Sequence, residues 1–232
     1  ASDPVRLDRV QLSRLSLIYS ELEIARTKTN QDVAKVRQQL DYFRQQCRKF
    51  GIKSLNERSN APEDYCDLYE KRFLPQAEKS KALGAKVIWL QKPGERYQKI
   101  ADTALTDGLF GGTTFVESWV GWEGVDGSFI LDLEFSSVEA DFLHQLGQWI
   151  LLPEKVTYSI STDNQTYQPF GSFSFAEDRA PQVKFVGGKV TSDKPVKARY
   201  IKVEVDAIGM CPAWHYGVGH PAWFFVDEVT VL

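Results

Sequence analysis

CPAWHYGVGHPAWFFVDEV, residues 211–229, holds two of the chain's three histidines, two tryptophans, two glycines and an Asp-Glu pair. Within it GVGHPA (217–222) matches G-x-G-x-x-A, a dinucleotide-binding pattern. That pattern works only between a strand and a helix whose N-terminus holds the pyrophosphate. Here Trp223, Phe224 and Phe225 follow, and aromatic residues of this kind make a strand. The stretch therefore reads as a loop entering a β-strand, and a βα nucleotide site is excluded.

Working outward, the rest of the second half has the same grammar. Phe129, Leu131, Leu133 and Phe135 alternate with other residues, as do Val156, Tyr158 and Ile160, then Ile201, Val203 and Val205. The turn-forming clusters TDGLFGGT (106–113), STDNQT (161–166), FVGGK (185–189) and TSDKP (191–195) separate these runs. EADFLHQLGQWILLP (139–153) is ambiguous, with Pro153 pointing to a loop or short turn before the next strand. No convincing helical pattern intervenes, so the expected architecture is a two-sheet antiparallel sandwich.

The first half is helical. Val33, Val36, Leu40, Phe43, Cys47 and Phe50 recur every three or four residues. Thr29 with Asp32 resembles a capping arrangement, and Gly51 is a stop. A second stripe runs through Leu15, Ile18, Tyr19, Leu22 and Ala25. A third, with Asn60 as cap and Pro62 in its first turn, runs through Tyr65, Leu68, Tyr69 and Phe73, with Pro75 as a kink and Gly84 as its end. Two or three antiparallel helices follow from this. Composition changes at the same place. The first 85 residues lack tryptophan and carry 16 Lys+Arg against 12 Asp+Glu, whereas the remainder carry 12 against 19. The reading is an α+β multidomain chain, with a helical bundle or connector over 1–85 and a β-sandwich over 86–232.

With a net charge of -3 there is no basic excess to suggest a nucleic-acid partner. No apolar run approaches the roughly 20 residues of a membrane span, and no signal peptide is visible. The start ASDPVRLDRV reads like a cut from a longer chain. Cys47, Cys66 and Cys211 have no metal-type spacing; Cys47 reads as a small buried hydrophobe, with a Cys47–Cys66 disulfide as the alternative.

Catalytic constellations are weak. DGLFGGTT (107–114) lacks the Lys-Ser/Thr of a phosphate loop. His215, His220 and Asp227 do not give a compact zinc spacing. Glu117 and Glu123, or Asp132 and Glu134, are the kind of acid pairs a glycosidase needs, but they read as solvated or structural acids. Cys211 and His215 lack an orienting partner, and His144 reads as an ordinary histidine.

A family resemblance covers roughly residues 86–232. ALTDG (104–108), SWVGWEG (118–124), ILDLE (130–134), FLHQLGQWILLP (142–153), YSISTDNQTY (158–167), ARYIKVEV (198–205) and PAWHYGVGHPAWFFVDEV (212–229) occur in this order. The series resembles the discoidin, or coagulation-factor type C, domain with its galactose-binding-like jelly roll. It is closest to versions near carbohydrate-binding module family 32 that are attached to bacterial glycoside hydrolases. The helical half resembles the segment following the catalytic barrel in large glycoside-hydrolase-like proteins.

The resemblance implies a structural Ca²⁺ held by the carboxylates of Asp107 and Glu228, the carbonyls of Ala104 and Asp227, and Thr114, an oxygen cage suited to this hard cation. An extra glycine before Thr113 and Thr114 leaves open which threonine serves. It also implies a glycan or terminal-sugar site on the apical loops. Trp119, Trp122, Trp214, His215 and Tyr216 offer the aromatic faces and ring donors such a site uses, and they equally suit packing of the loops. The implied function is a non-catalytic carbohydrate-binding C-terminal region of a larger glycan-degrading protein. Its partner would be the upstream catalytic domain, and its location periplasmic, surface or secreted. The rival is a structural or protein-interaction module that packs on a catalytic domain and touches no sugar.

Overall fold

Leu15, Ile18 and Leu22 recur at helical spacing, and all three are buried on one side of α1 (Pro4–Ala25). They meet Val36, Leu40, Phe43 and Cys47 of α2 (Val33–Lys49) and Cys66 of α3 (Pro62–Leu68), which continues through one π-helical turn, Tyr69–Phe73. The computed structural model describes residues 4–28, 32–56, 61–74, 80–115, 118–132, 135–196 and 198–232. It divides into two units, Ala1–Gln76 and Ala77–Leu232.

In the first unit Asp32 itself caps α2, its side chain accepting from the Lys35 amide at 3.1 Å. Gly51 follows at φ +64°, a left-handed stop that glycine adopts without strain. Pro62 opens α3, with Ala61 at the cap position. The expected roles of Thr29, Asn60 and Pro75 lie outside the described residues. Cys47 and Cys66 are both buried free thiols, so the disulfide alternative is not what forms. Tyr69 ties the third helix to the first, its hydroxyl donating to the Leu22 carbonyl at 2.7 Å.

The second unit is an antiparallel sandwich. One sheet has the order β1 (Val87–Gln91), β3 (Gly127–Asp132), β8 (Tyr200–Asp206), β5 (Lys155–Ser161), β6 (Gln168–Ser174). The other runs β2 (Val120–Glu123), β9 (Trp223–Val231), β4 (Phe135–His144), β7 (Lys184–Val196). A short helix, α4 (Gln98–Ala104), precedes β2. Residues 80–82 belong here: the Lys81 amide donates to the Val231 carbonyl at 2.7 Å, and Ala82 is fully buried in the sandwich core. Trp122, Phe129, Phe142, Tyr158 and Phe224 fill the space between the sheets. Tyr158 spans that space, accepting from the Ala140 amide at 3.0 Å and donating to the Gly188 carbonyl at 2.6 Å.

Two elements differ from expectation. FVGGK and TSDKP are not turns; both lie within the 13-residue strand β7. A Cβ on Gly188 would sit 2.7 Å from Val156 Cγ1, so this glycine marks a close approach between layers and not a reversal of the chain. The ambiguous stretch is strand as far as His144, followed by one 3₁₀ turn, Leu146–Gln148.

Strand β9 carries a bulge. Val226 pairs with Phe142 and Val229 with Ala140, so Asp227 and Glu228 together oppose Asp141. The extra residue reverses the side-chain parity. Phe224 and Val226 face the core before it, and Val229 and Val231 face the core after it. Asp227 and Glu228 are the residues freed by that reversal.

Candidate functional site

The bulge places its two acids against the loop after α4. The Gly108 amide donates to Glu228 Oε2 at 3.0 Å, and the Gly111 amide donates to Asp227 Oδ2. Asp107 lies in the same turn, with its Oδ1 accepting from the Leu109 amide at 2.8 Å. Asp227 and Glu228 are fully buried, and Glu228 Oε1 has no hydrogen-bond partner among the described residues. Burial, then the neighbouring charges of Asp227 and Asp107, pushes the Glu228 carboxyl up to about 9, with the Gly108 amide opposing. Burial likewise raises Asp107 to about 6.

This is an oxygen-only donor set with one buried oxygen unsatisfied, which fits a hard cation better than a soft one. Among the described residues no group of three or more His, Cys, Asp or Glu converges closely enough to hold a metal by itself. A cation here would need backbone carbonyls as well. Ala104 is the buried last residue of α4; Thr113 is half-buried and Thr114 exposed. The same finding removes the His215–His220–Asp227 zinc set.

The loop at residues 207–222 enters β9 at Trp223, five residues from Glu228, or roughly 17 Å along an extended strand. The acidic junction and this loop are therefore separate places. His215 is buried and clamps the loop: Nδ1 accepts from the Gly217 amide at 3.0 Å, so Nε2 carries the hydrogen that faces the Leu146 carbonyl at 3.2 Å. Tyr216 is exposed, stacks on His215 with ring centroids 4.5 Å apart, and donates to the Gly147 carbonyl at 3.1 Å.

Trp119 and Trp122 require correction as ligand platforms, because they are 0% and 1% exposed. Trp122 lies in the core, stacked on Phe224 with centroids 5.1 Å apart. Trp119 lies on the outer side of the second sheet, stacked on Phe185, with its Nε1 donating to the Gly112 carbonyl at 2.9 Å. Large aromatic side chains leave water wherever a covering segment is available: Gly111 and Gly112 of the loop after α4 lie against Trp119, and Trp89, Phe129 and Phe224 enclose Trp122.

Trp214 is the tryptophan of the set that meets an open space. It borders a groove of about 320 Å³ between the β4–β5, β6–β7 and β8–β9 loops, with Phe175 and Ile208 among the apolar walls and Glu154, Glu177 and Asp178 at its rim. The indole is fixed in place. Its Nε1 donates to Glu177 Oε2 at 2.7 Å, and the Arg179 guanidinium sits 5.0 Å from its ring centroid while bonding Glu177 Oε1 at 2.6 Å. These bonds hold Glu177 below the usual carboxylate range, the Arg179 bond foremost. Asp178 is held low by Lys184 and the Ala180 amide, which fastens the same loop to β7.

The sandwich is similar to solved domains that include carbohydrate-binding modules. One is module CBM32-1 of a family 31 glycoside hydrolase from Clostridium perfringens, at 17% identity and TM-score 0.42, covering 67% of this chain and 97% of that one. Another is the family 32 module of C. perfringens NanJ, solved in complex with galactose, at 16% identity and TM-score 0.40, covering 67% and 96%. A third is the C-terminal domain of a chitobiase from Bacteroides fragilis, at 16% identity and TM-score 0.36, covering 68% and 97%. No protein-family model and no curated protein matches the sequence.

Sequence reasoning missed Glu154, Glu177 and Arg179. The signal was FAEDRAP (175–181), a charged run in a loop between two strands. Only its approach to Trp214 gives it meaning. Of the acid pairs, Asp132 is bound by Arg199 at 2.8 Å and Glu123 is exposed, while Glu117 and Glu134 lie outside the described residues. Cys211 is buried, its thiol raised by desolvation, the opposite of an activated nucleophile.

Proposed function

We propose that the sandwich binds a terminal sugar in the Trp214 groove and performs no chemistry on it. The observation that carries this reading is the indole fixed by Glu177 and Arg179 at the wall of an open groove. An aromatic face covers the apolar C–H side of a pyranose, and the Glu154 carboxylate at the groove rim bonds hydroxyls while Glu177 and Arg179 hold the indole. The volume is at the small end of the ~300–1,000 Å³ typical of small-molecule sites, which suits one sugar ring better than a chain. Tyr216 on the outer surface of the same loop supplies a second contact for a longer glycan.

Binding at one shallow aromatic site is worth about -4 to -6 kcal/mol, so the dissociation constant is in the millimolar to tens-of-micromolar range. Such affinity is useful when tethering raises local concentration. The ordered motifs of the sequence support a place for the chain as a non-catalytic C-terminal region of a larger, exported glycan-degrading protein. The helices would form its connector.

Calcium belongs to the same reading. Asp107 and Glu228, with the carbonyls of Ala104 and Asp227 and one threonine of the pair Thr113 and Thr114, would hold it. Bound there, the ion would join the loop after α4 to the last strand and compensate the buried carboxylates. The unsatisfied Glu228 oxygen supports this.

Calorimetric titration of the full chain with galactose, N-acetylgalactosamine, N-acetylglucosamine and glucose tests the sugar site. Saturable binding that Trp214→Ala abolishes is expected. No binding at about 50 mM of any sugar, well above the weakest dissociation constant expected, would favour the rival role as a packing module.

A further inference from the structure

The α1 helix buries one stripe and exposes another. Val10, Leu17 and Ile24 are 54%, 62% and 54% exposed, and they lie seven residues apart on one line of the helix. Leu7, Arg14 and Glu21 alternate with them at the three- and four-residue spacing of a helix–helix seam. Single exposed apolar residues are ordinary, whereas apolar residues recurring at one heptad position, with charged residues beside them, are the pattern of a helix–helix seam. Beside it α1 and α2 form a groove of about 700 Å³, whose lining includes Arg14, Ile18, Glu21, Ile24 and Val36.

We infer that this face joins two copies of the chain, with α1 packing antiparallel on α1 of the second copy about a two-fold axis beside Leu17. The argument is self-complementarity. Val10, Arg14, Leu17, Glu21 and Ile24, laid against themselves in reverse, set valine on isoleucine, arginine on glutamate and leucine on leucine. A closed two-fold interface demands this kind of match. Parallel pairing would instead set Arg14 on Arg14 and Glu21 on Glu21, which like charges oppose. Within its own chain Arg14 has no acid partner among the described residues. Glu21 is held by the neutral amide of Gln39, which orients the carboxylate at the groove without cancelling its charge.

Two such stripes bury on the order of 1,000–1,200 Å², the lower end of specific interfaces, so the dimer dissociates with a constant of about 1–100 µM. Sedimentation equilibrium of the full chain, from about 1 to about 200 µM, tests this. The mass should rise from 26.4 kDa toward twice that value. Leu17→Glu should remain monomeric and Arg14→Glu should weaken association at least about tenfold, both with unchanged far-ultraviolet circular dichroism. Arg14→Glu combined with Glu21→Arg should restore it to within about threefold. A wild-type monomer throughout the range overturns the inference, and so does a double variant that associates no better than Arg14→Glu.

Discussion

Glu228 accepts a hydrogen bond from the Gly108 amide at 3.0 Å, across 120 residues of chain. This contact joins the loop after α4 to the bulge of the last strand. It does so with a carboxyl group that burial has pushed up to about 9.

The direction of that shift sets a pH dependence. The folded chain keeps the Glu228 proton up to about pH 9, whereas an ordinary glutamate releases it near 4.5. Folding therefore takes up a proton between those values. The contribution is fully present below about pH 4.5 and is lost as pH rises through 9. In chelator, denaturant titrations should show stability falling with rising pH across this window, by up to about 1.4 kcal/mol per unit. Glu228→Gln, which keeps the shape and cannot ionise, should flatten the curve; an unchanged slope would remove Glu228 as its source.

Calcium should reverse the effect. Added at about 100 times its dissociation constant it should raise the melting temperature by about 5–10 °C, and Glu228→Gln should blunt the gain. Differential scanning calorimetry with and without chelator decides this; identical curves would exclude the ion.

Gly111→Ala would place a Cβ 2.3 Å from Trp119 Nε1 and 2.7 Å from Cε2. Trp119 is buried against Phe185 and has no room to retreat. The expected loss is about 1–3 kcal/mol in denaturant unfolding. A variant as stable as the parent would show that this loop yields.

His215→Ala would leave the Gly217 amide without its acceptor and remove one of the bonds to the Leu146 carbonyl, which keeps the Trp149 amide, at a cost of about 1–3 kcal/mol. Hydrogen exchange should then rise in both the 145–149 and 211–220 segments. Faster exchange in only one of them would contradict the clamp.

Glu177→Gln keeps an acceptor for the Trp214 indole and weakens the pairing with Arg179. Sugar affinity should fall about three- to tenfold, less than for Trp214→Ala. Calorimetry reads the difference; equal losses would make Glu177 a direct ligand and not a support.

Much of this molecule is written locally. The stripe Val36, Leu40, Phe43 and Cys47 defines its helix, and the alternation of Phe129 with Leu131, or of Val203 with Val205, defines strands, because burial of one face imposes a fixed period. Gly188 misled that logic. A glycine needed for a turn and a glycine needed for close layer contact look alike until the opposite layer, here Val156, is in place.

The site divides in the same way. That an Asp-Gly turn would lie beside the Asp-Glu of the last strand was implied only by the resemblance of the ordered motifs to the discoidin series. The fates of Trp119, Trp122 and Trp214 were not implied, because all three are the same side chain in loops or short strands of similar composition. Burial of an aromatic ring depends on which distant segment covers it. The loop after α4 covers Trp119, Phe224 covers Trp122, and three loop segments leave Trp214 beside a groove. Periodicity is a property of neighbours in sequence and was legible there; exposure is a property of neighbours in space and was decided only by the fold.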